Sequence, residues 1–261
     1  MQMAIRALGW ATKILWIILL AIIITIAYSA TQINIAFGES TTAVTEQAIT
    51  ISTPINIHNA GLYDINQLNI TTRIQDQNGN PLVTDSTLTR IIPKRTEGTT
   101  THTVTLNITK MLTQQNNTLL FNDANLIAFQ YVAFSYANAI PLSVHANYTM
   151  QWGAPLSNLV IGNPTYQASN LTSRIIVQIS FENHNQYVPV TGVTRVEVYN
   201  SRGTLKGTGT ADINAQPYSS CSTQVSVLVS NFRTLPASGF LHVFFETSVF
   251  DYGPRVVPFG P

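Results

Sequence analysis

The sequence contains an internal repeat, and this repeat limits the architectures that the chain can adopt. Residues 55–94 align without a gap with residues 179–218, so that Asn59 falls opposite Asn183. Three further pairs coincide to within one residue: Ile55 with Ile179, Asn78-Gly79 with Arg202-Gly203, and Pro93 with Pro217. A repeated segment of this length predicts two copies of one structural unit in tandem.

The two copies also resemble each other near their ends. Trp152-Gly153 in the first copy matches Tyr252-Gly253 in the second. The first copy is the longer of the two, and we assign the difference to an insertion near residues 110–135, with a helix around residues 108–115.

Each copy has the period-two hydrophobic pattern of half-buried β-strands. Apolar and polar residues alternate in segments 68–75 and 101–108 of the first copy and in segments 193–199 and 223–229 of the second. Glycine-containing turns separate these segments, and β-branched residues are abundant. Antiparallel strands with one apolar face stack into sandwiches, so the sequence predicts a mainly β fold with two sandwich domains.

One segment of the second copy resembles a known family. Residues 182–190 read ENHNQYVPV, and the following strand and glycine turn lead to the step Gly207-Thr208-Gly209. This order is similar to the late-embryogenesis-abundant type 2 family and its relative, the WHy domain. The first copy keeps Asn59 but lacks the Gly-x-Gly step. The resemblance implies that both copies are immunoglobulin-like antiparallel β-sandwiches, and it implies no catalytic activity.

An uncharged apolar segment precedes the repeat. Residues 14–38 carry no charge, and the run is long enough for one transmembrane helix, which we expect at about residues 12–32. Trp10, Trp16 and Tyr28 lie near its ends, as interfacial aromatic residues do. The domains expected are therefore a cytoplasmic stub and anchor, a first β-sandwich and a second β-sandwich, with the bounds 1–38, 39–156 and 157–261.

The charges beside the apolar segment indicate its orientation. Arg6 and Lys13 precede it, so the positive-inside rule leaves the N-terminus in the cytoplasm and the bulk of the chain outside the cell. Two other interpretations stay open. The segment could be a signal peptide cleaved after small residues such as Ala27 and Ser29, or a pilin-type signal cleaved after Ala7. The pilin interpretation would leave Lys13 inside a packed helix, which is energetically costly.

Five Asn-x-Ser/Thr sequons follow the apolar segment, and none precedes it. They predict N-linked glycans at Asn69, Asn107, Asn116, Asn147 and Asn170. Cys221 is the only cysteine, so no disulfide can form within one chain. Asn59 and Asn183 are expected to hold a bend through hydrogen bonds from side chain to backbone.

Composition and motifs exclude several classes of function. Only 10% of the residues are charged and the net charge is +1, so we expect no nucleic-acid partner. The five histidines form no zinc pattern, and the sequence contains no phosphate loop, dinucleotide fingerprint or nucleophile elbow. The segment 76–80 resembles a calcium loop only in part and is interpreted as a hairpin turn. We expect no enzyme activity, no metal and no cofactor.

These observations predict a non-enzymatic, single-pass protein of the cell envelope with a structural, adhesive or accessory role. Its expected partners are the lipid bilayer, other envelope or membrane proteins, further copies of itself and N-linked glycans. The combination of anchor, tandem copies and sequons resembles archaeal cell-surface proteins with tandem domains of this family. A pilin-like filament subunit is the first alternative, and an extracellular solute-binding protein or enzyme is the second.

Overall fold

A computed structural model describes residues 2–45, 47–114, 118–168, 173–229 and 236–260 of the chain. Within these ranges the first half contains the following elements: α1 (Gln2–Ala30), β1 (Ile33–Phe37), β2 (Thr41–Val44), β3 (Ala48–Asn59), β4 (Ile65–Gln75), β5 (Pro81–Ile92), β6 (Thr96–Asn107), α2 (Ile108–Gln114), α3 (Thr118–Phe121), β7 (Ala124–Tyr136) and β8 (Ile140–Trp152). The second half contains these elements: β9 (Ser157–Ile161), β10 (Thr165–Ala168), β11 (Ser173–Asn183), β12 (Val190–Asn200), β13 (Leu205–Ala215), β14 (Ser219–Val229), β15 (Gly239–Thr247) and β16 (Asp251–Phe259).

The first sandwich consists of two antiparallel sheets. In one sheet β3 pairs with β6 on one side and with β1 and β2 on the other. The second sheet has the order β5-β4-β7-β8. These are the neighbour relations A-B-E and C′-C-F-G of an immunoglobulin-like sandwich, with strand A divided into two short pieces. The prediction of a mainly β chain with one N-terminal helix and antiparallel sandwiches is therefore confirmed.

The second sandwich repeats the topology of the first. Its sheets are β9 and β10 with β11 and β14, and β13-β12-β15-β16. The repeat also covers strands that the sequence comparison did not include, since Phe37 pairs with Ile55 just as Ile161 pairs with Ile179. The structural unit therefore begins at β1 and β9, upstream of the segments that resemble each other in sequence.

Two details of the predicted repeat are wrong. Residues 124–136 form β7, a strand paired with β4 and β8, so the helical insertion ends with α3 and does not extend to residue 135. The match between Trp152-Gly153 and Tyr252-Gly253 joins opposite ends of equivalent strands, because Trp152 ends β8 whereas Tyr252 lies near the start of β16. Helix α1 is also longer than the expected span and begins at Gln2.

Glycine in the Gly-x-Gly step lets two strands of the second sandwich approach closely. β13 carries Gly207 and Gly209 and passes beside β14 at a corner of the sandwich. A Cβ atom at Gly207 would overlap the backbone carbonyl of Leu228, and one at Gly209 would meet the carbonyl oxygen of Ser226 at 2.5 Å. The step thus has a steric role, and the first copy carries Val83 and Asp85 at the aligned positions.

The buried side chains form two clusters that divide within the first sandwich. The lower cluster combines Ile26 of α1 with the part of the first sandwich nearest to the helix. The upper cluster runs from the rest of the first sandwich through the whole second sandwich. His102 is buried inside the first sandwich, where its Nε2 lies 2.9 Å from Thr72 Oγ1 and its Nδ1 lies 2.9 Å from Thr87 Oγ1. Burial lowers the pKa of His102, although the field of Asp85 partly opposes this, so the imidazole is neutral at pH 7.

Candidate functional site at the joints

One buried asparagine at the end of a central strand holds together the turns at one end of each sandwich. We call this end the base of the sandwich. Asn59 has no exposed surface, and its Nδ2 donates hydrogen bonds to the carbonyls of Tyr63, Ile92 and Pro93 at 2.9, 3.3 and 3.1 Å. Its Oδ1 accepts the N–H of Gly61. One side chain therefore joins the turn after β3 to the turn between β5 and β6.

Asn183 makes the same contacts in the second sandwich. Its Nδ2 donates to the carbonyls of Val188, Ala215 and Gln216 at 2.8, 3.1 and 3.2 Å, and its Oδ1 accepts the N–H of Asn185. Asn183 is also fully buried. Because every acceptor is a main-chain carbonyl, both asparagines stabilise the fold and expose no group to a ligand.

The sequons lie at different places in the first sandwich. Asn107 is exposed at the end of β6, where its Oδ1 accepts the N–H of Lys110 and caps α2. Asn147 is exposed on the edge strand β8, and Asn69 is half-buried in the central strand β4. Asn116 and Asn170 lie outside the described residues.

The apolar helix is joined to the first sandwich without a linker. α1 ends at Ala30, and β1 begins three residues later. Ser29 lies 1% exposed against the base, where its Oγ is 2.5 Å from the hydroxyl of Tyr136 and accepts the N–H of Leu62 at 2.6 Å. Ile26 packs into the lower cluster of the first sandwich. These contacts hold the last turn of the helix against the first sandwich.

The second sandwich is joined to the first by similar contacts. The chain leaves β8 and enters β9 within five residues. His184 donates its N–H to the carbonyl of Ala154 at 3.0 Å, and Asn185 donates its side-chain N–H to the carbonyl of Gly153 at 2.8 Å. At a different turn of the second sandwich, the carbonyl of Val249 accepts the hydroxyl of Thr109 of α2. The joint therefore has two separated points of contact.

A short polar network crosses this joint. The Nδ1 of His184 lies 2.8 Å from the carboxylate of Asp123, and its Nε2 lies 2.9 Å from the carboxylate of Glu182. Asp123 also accepts the N–H of Ala154, and Glu182 accepts a side-chain N–H of Asn158. The imidazole thus links a residue of the first sandwich to a residue of the second.

The network changes the pKa of each of its members. Hydrogen bonds to Asp123 and then to Glu182 raise the pKa of His184 above its usual value. Partial burial of Asp123 tends to raise its pKa, but hydrogen bonds from Ala154 and His184 outweigh this effect and lower it. Hydrogen bonds from His184 and Asn158 lower the pKa of Glu182. The ion pairs are therefore best formed in mildly acidic solution.

We expect Asp123→Asn to lower the pKa of His184 towards its usual value of about 6.5, because the carboxylate that stabilises the imidazolium is removed. In the native protein the contribution of His184 to stability is complete below pH about 6.5 and is lost as the pH rises through its raised pKa. The contribution is below about 1 kcal/mol because the side chain is 37% exposed. NMR titration of the imidazole measures this shift.

Glu97→Gln is the matched control for this measurement, since Glu97 pairs with His58 at the other end of the first sandwich. This variant should leave the titration of His184 unchanged. An unchanged His184 titration in Asp123→Asn would contradict the proposed coupling across the joint.

A cleft of about 510 Å³ lies beside the polar network. Neutral polar groups are prominent in its wall, which is lined by Gln77, Asp123, Ala124, Asn125, Gln151, Trp152, Gly153, His184, Gln186 and Tyr218. The ring of Tyr218 is 72% exposed, and its hydroxyl donates to the Oε1 of Gln186 at 3.3 Å. The amides and the exposed ring offer hydrogen bonds and stacking, and Asp123 and His184 are the ionisable groups of the wall.

Other chemistry-bearing residues do not converge. Among the described residues, no group of three or more His, Cys, Asp or Glu side chains could hold a metal ion. Cys221 is a free, buried thiol in β14. The segment from Asp76 to Asn80 is a turn in which the Asp76 carboxylate accepts the N–H groups of Asn78 and Asn80.

The cleft and the His184 network were not predicted from the sequence. Their residues are separated by more than 140 positions, from Gln77 to Tyr218, and no motif spacing connects them. The sequence signal that bears on the joint is the segment around Asn183, which contributes His184 and Gln186.

Two distant structural neighbours are among the known proteins that are similar to this chain. No family model and no curated protein matches the chain, so the resemblance to the late-embryogenesis-abundant type 2 family stays a prediction. A solved structure described as Northeast Structural Genomics Consortium target SoR45 is similar at 14% identity and a TM-score of 0.29, over 46% of this chain and 86% of that one. A structure described as pT26-6p is similar at 9% identity and a TM-score of 0.28, over 90% of this chain and 66% of that one.

Proposed function

We propose that this chain is a non-enzymatic, single-pass protein of the cell envelope. Helix α1 spans the membrane with its N-terminus in the cytoplasm, and the two sandwiches stand outside the cell as a short stalk. The stalk has a structural or adhesive role, or it is an accessory subunit beside another membrane protein. N-linked glycans at the exposed sequons Asn107 and Asn147 belong to this proposal.

The observation that carries the proposal is the exposure of the apolar helix together with its direct attachment to the first sandwich. Residues 12–30 form the one described helix that is long and apolar enough to cross a membrane, and almost none of it is buried against the sandwiches. A water-soluble chain would leave this surface exposed at a large cost in free energy. The contacts of Ser29 then place the first sandwich directly at the end of the helix.

Topology can be tested by labelling single cysteines in intact cells with a membrane-impermeant maleimide. We expect Ser201→Cys, in the exposed turn between β12 and β13, to be labelled from outside. Gln2→Cys should react only after the membrane is permeabilised. The unsubstituted protein is the control, because its single thiol at Cys221 is buried.

Sequencing of the mature N-terminus separates the alternatives. A start at Met1 supports the retained anchor, whereas a start at Leu8 would favour the pilin-like filament subunit. A start just after Ala27 or Ser29 would indicate a removed signal peptide and would contradict the anchor. Labelling of Gln2→Cys in unpermeabilised cells would overturn the proposed orientation.

The cleft supports a second candidate, the binding of a small neutral polyhydroxylated solute such as a sugar. Its amide side chains can pair with hydroxyl groups, and the ring of Tyr218 can cover an apolar sugar face. We expect Tyr218→Ala and Gln151→Ala to weaken any such binding in calorimetric titrations with neutral sugars. Tyr28→Ala, a change of the same kind outside the cleft, should leave it unaltered. An absence of heat with every sugar would remove this candidate.

A further inference from the structure

Three turns form the base of the first sandwich: residues 60–64 after β3, 93–95 between β5 and β6, and 137–139 between β7 and β8. Asn59 ties the first two turns together, and the N–H of Ala137 donates to the carbonyl of Asp64, which ties the third to them. Helix α1 ends against the same surface through Ser29. The base is therefore one connected surface located where the apolar helix ends.

The equivalent base of the second sandwich is in contact with the first sandwich. Its turns cover residues 184–189, 216–218 and 248–250, and the first sandwich packs against them. Val249 and Phe250 are only 4% and 3% exposed. The base of the second sandwich thus buries residues against the part of the chain that precedes it.

The two bases differ at matching positions of the turn that follows the fifth strand of each sandwich. Arg95 and Tyr218 both have left-handed backbone conformations, with φ of 57° and 58°. The second sandwich carries the exposed ring of Tyr218 here, at the cleft beside the first sandwich. The first sandwich carries two exposed cations, Lys94 and Arg95, and no ion pair joins either of them to a carboxylate within the described part of the chain.

We propose that the base of the first sandwich rests on the lipid headgroups, where Lys94 and Arg95 bind the phosphates of anionic lipids. This inference rests on the proposed function, because it requires α1 to span the membrane. Cations near an anionic lipid surface are attracted to it, and the attraction decreases with salt. Leu62, which is 42% exposed on the same base, adds an apolar contact with the headgroup region.

Two acidic groups near the base, Asp64 and Glu97, oppose this attraction in part, and each has a contact of its own. Asp64 directs its Oδ1 to the backbone N–H of Lys94 at 2.8 Å, which helps to hold the turn. Glu97 pairs with His58 on the neighbouring strands. Asn138 and Ala139 are exposed and complete the surface.

A spin label at Asn138→Cys in the full-length chain tests the proposal. One chain is placed in each nanodisc, made either of phosphatidylcholine alone or with about one third phosphatidylglycerol. We expect accessibility to a water-soluble nickel relaxant to fall by roughly fivefold or more in the anionic discs. High salt, or Lys94→Gln with Arg95→Gln, should restore the accessibility seen in neutral discs. A label at Ser201→Cys on the second sandwich should respond to none of these changes.

The outcomes separate this inference from the proposed anchor. Flotation of the chain with liposomes reports on the anchor alone, so a chain that fails to float contradicts the proposed function. A chain that floats but keeps position 138 equally accessible in both lipids overturns the headgroup contact and leaves the anchor intact. Protection that arises only when two chains share one disc also overturns it, because the base would then bind a second copy.

Discussion

Asn183→Ala is expected to destabilise the protein by about 3–5 kcal/mol, more than any other single side-chain truncation considered. The change leaves the carbonyls of Val188, Ala215 and Gln216 without their partner and removes the acceptor for the N–H of Asn185. The groups of Val188, Ala215 and Asn185 are buried, where an unpaired polar group is costly, and the bond to Gln216 is part-buried. Urea denaturation in mild detergent, followed by circular dichroism, measures the loss.

Two further variants test whether the loss of stability comes from the hydrogen bonds of Asn183. Asn214→Ala is the matched control, since Asn214 is exposed and accepts only a side-chain N–H of Gln216, so its effect should stay within about 0.5 kcal/mol. Asn183→Asp keeps the size of the side chain but replaces two N–H donors by an acceptor. It should be at least as harmful as alanine, and a near-native stability would refute the assigned donor role.

Gly153→Ala is expected to separate the two sandwiches at their joint while leaving each sandwich folded. A Cβ atom at residue 153 would overlap the backbone carbonyl of His184 and lie 2.9 Å from the backbone nitrogen of Asn185. Backbone atoms cannot rotate away as a side chain can, so the joint must open. We expect a loss of about 2–4 kcal/mol and a second unfolding transition.

Distances between spin labels at Leu88→Cys and Val256→Cys, one exposed position on each sandwich, report the opening directly. The distribution should be narrow in the parent protein and broad in Gly153→Ala. Gly98→Ala is the control, because a Cβ atom there would meet Ile92 at an ordinary 3.5 Å. A narrow distribution with a single transition in Gly153→Ala would contradict the fixed joint.

Alternation and turn residues were enough to predict the strands and the sandwich architecture. Segments such as 193–199 alternate because one face of the sheet is buried, and this pattern is local. β7 was not recognised because its apolar residues are nearly continuous in ANLIAFQYVAFSY, which hides the period of two. β1 and β9 were missed because strands of five residues carry too little pattern to align.

The joints could be predicted only in part. Asn59 and Asn183 stand out because they recur at the same place in each copy, and a polar residue that ends an apolar strand indicates a bend. The partners of His184 depend on how the second sandwich sits on the first, which no local rule specifies. Lys94 and Arg95 could not be recognised from the sequence as candidate contacts for lipid phosphates, because this depends on the end of α1 lying at the same base.

The entry strands β1 and β9 determine how the two sandwiches would respond to a pull along the chain. The chain enters the first sandwich at its base through β1 and leaves at the opposite end through Trp152, so a pull between α1 and Trp152 acts along these strands. The hydrogen bonds between β1 and β3 lie across the direction of the strands. Tension must therefore break the five paired positions of this ladder together instead of one after another. Since β9 enters the second sandwich in the same way, both units resist stretching in shear.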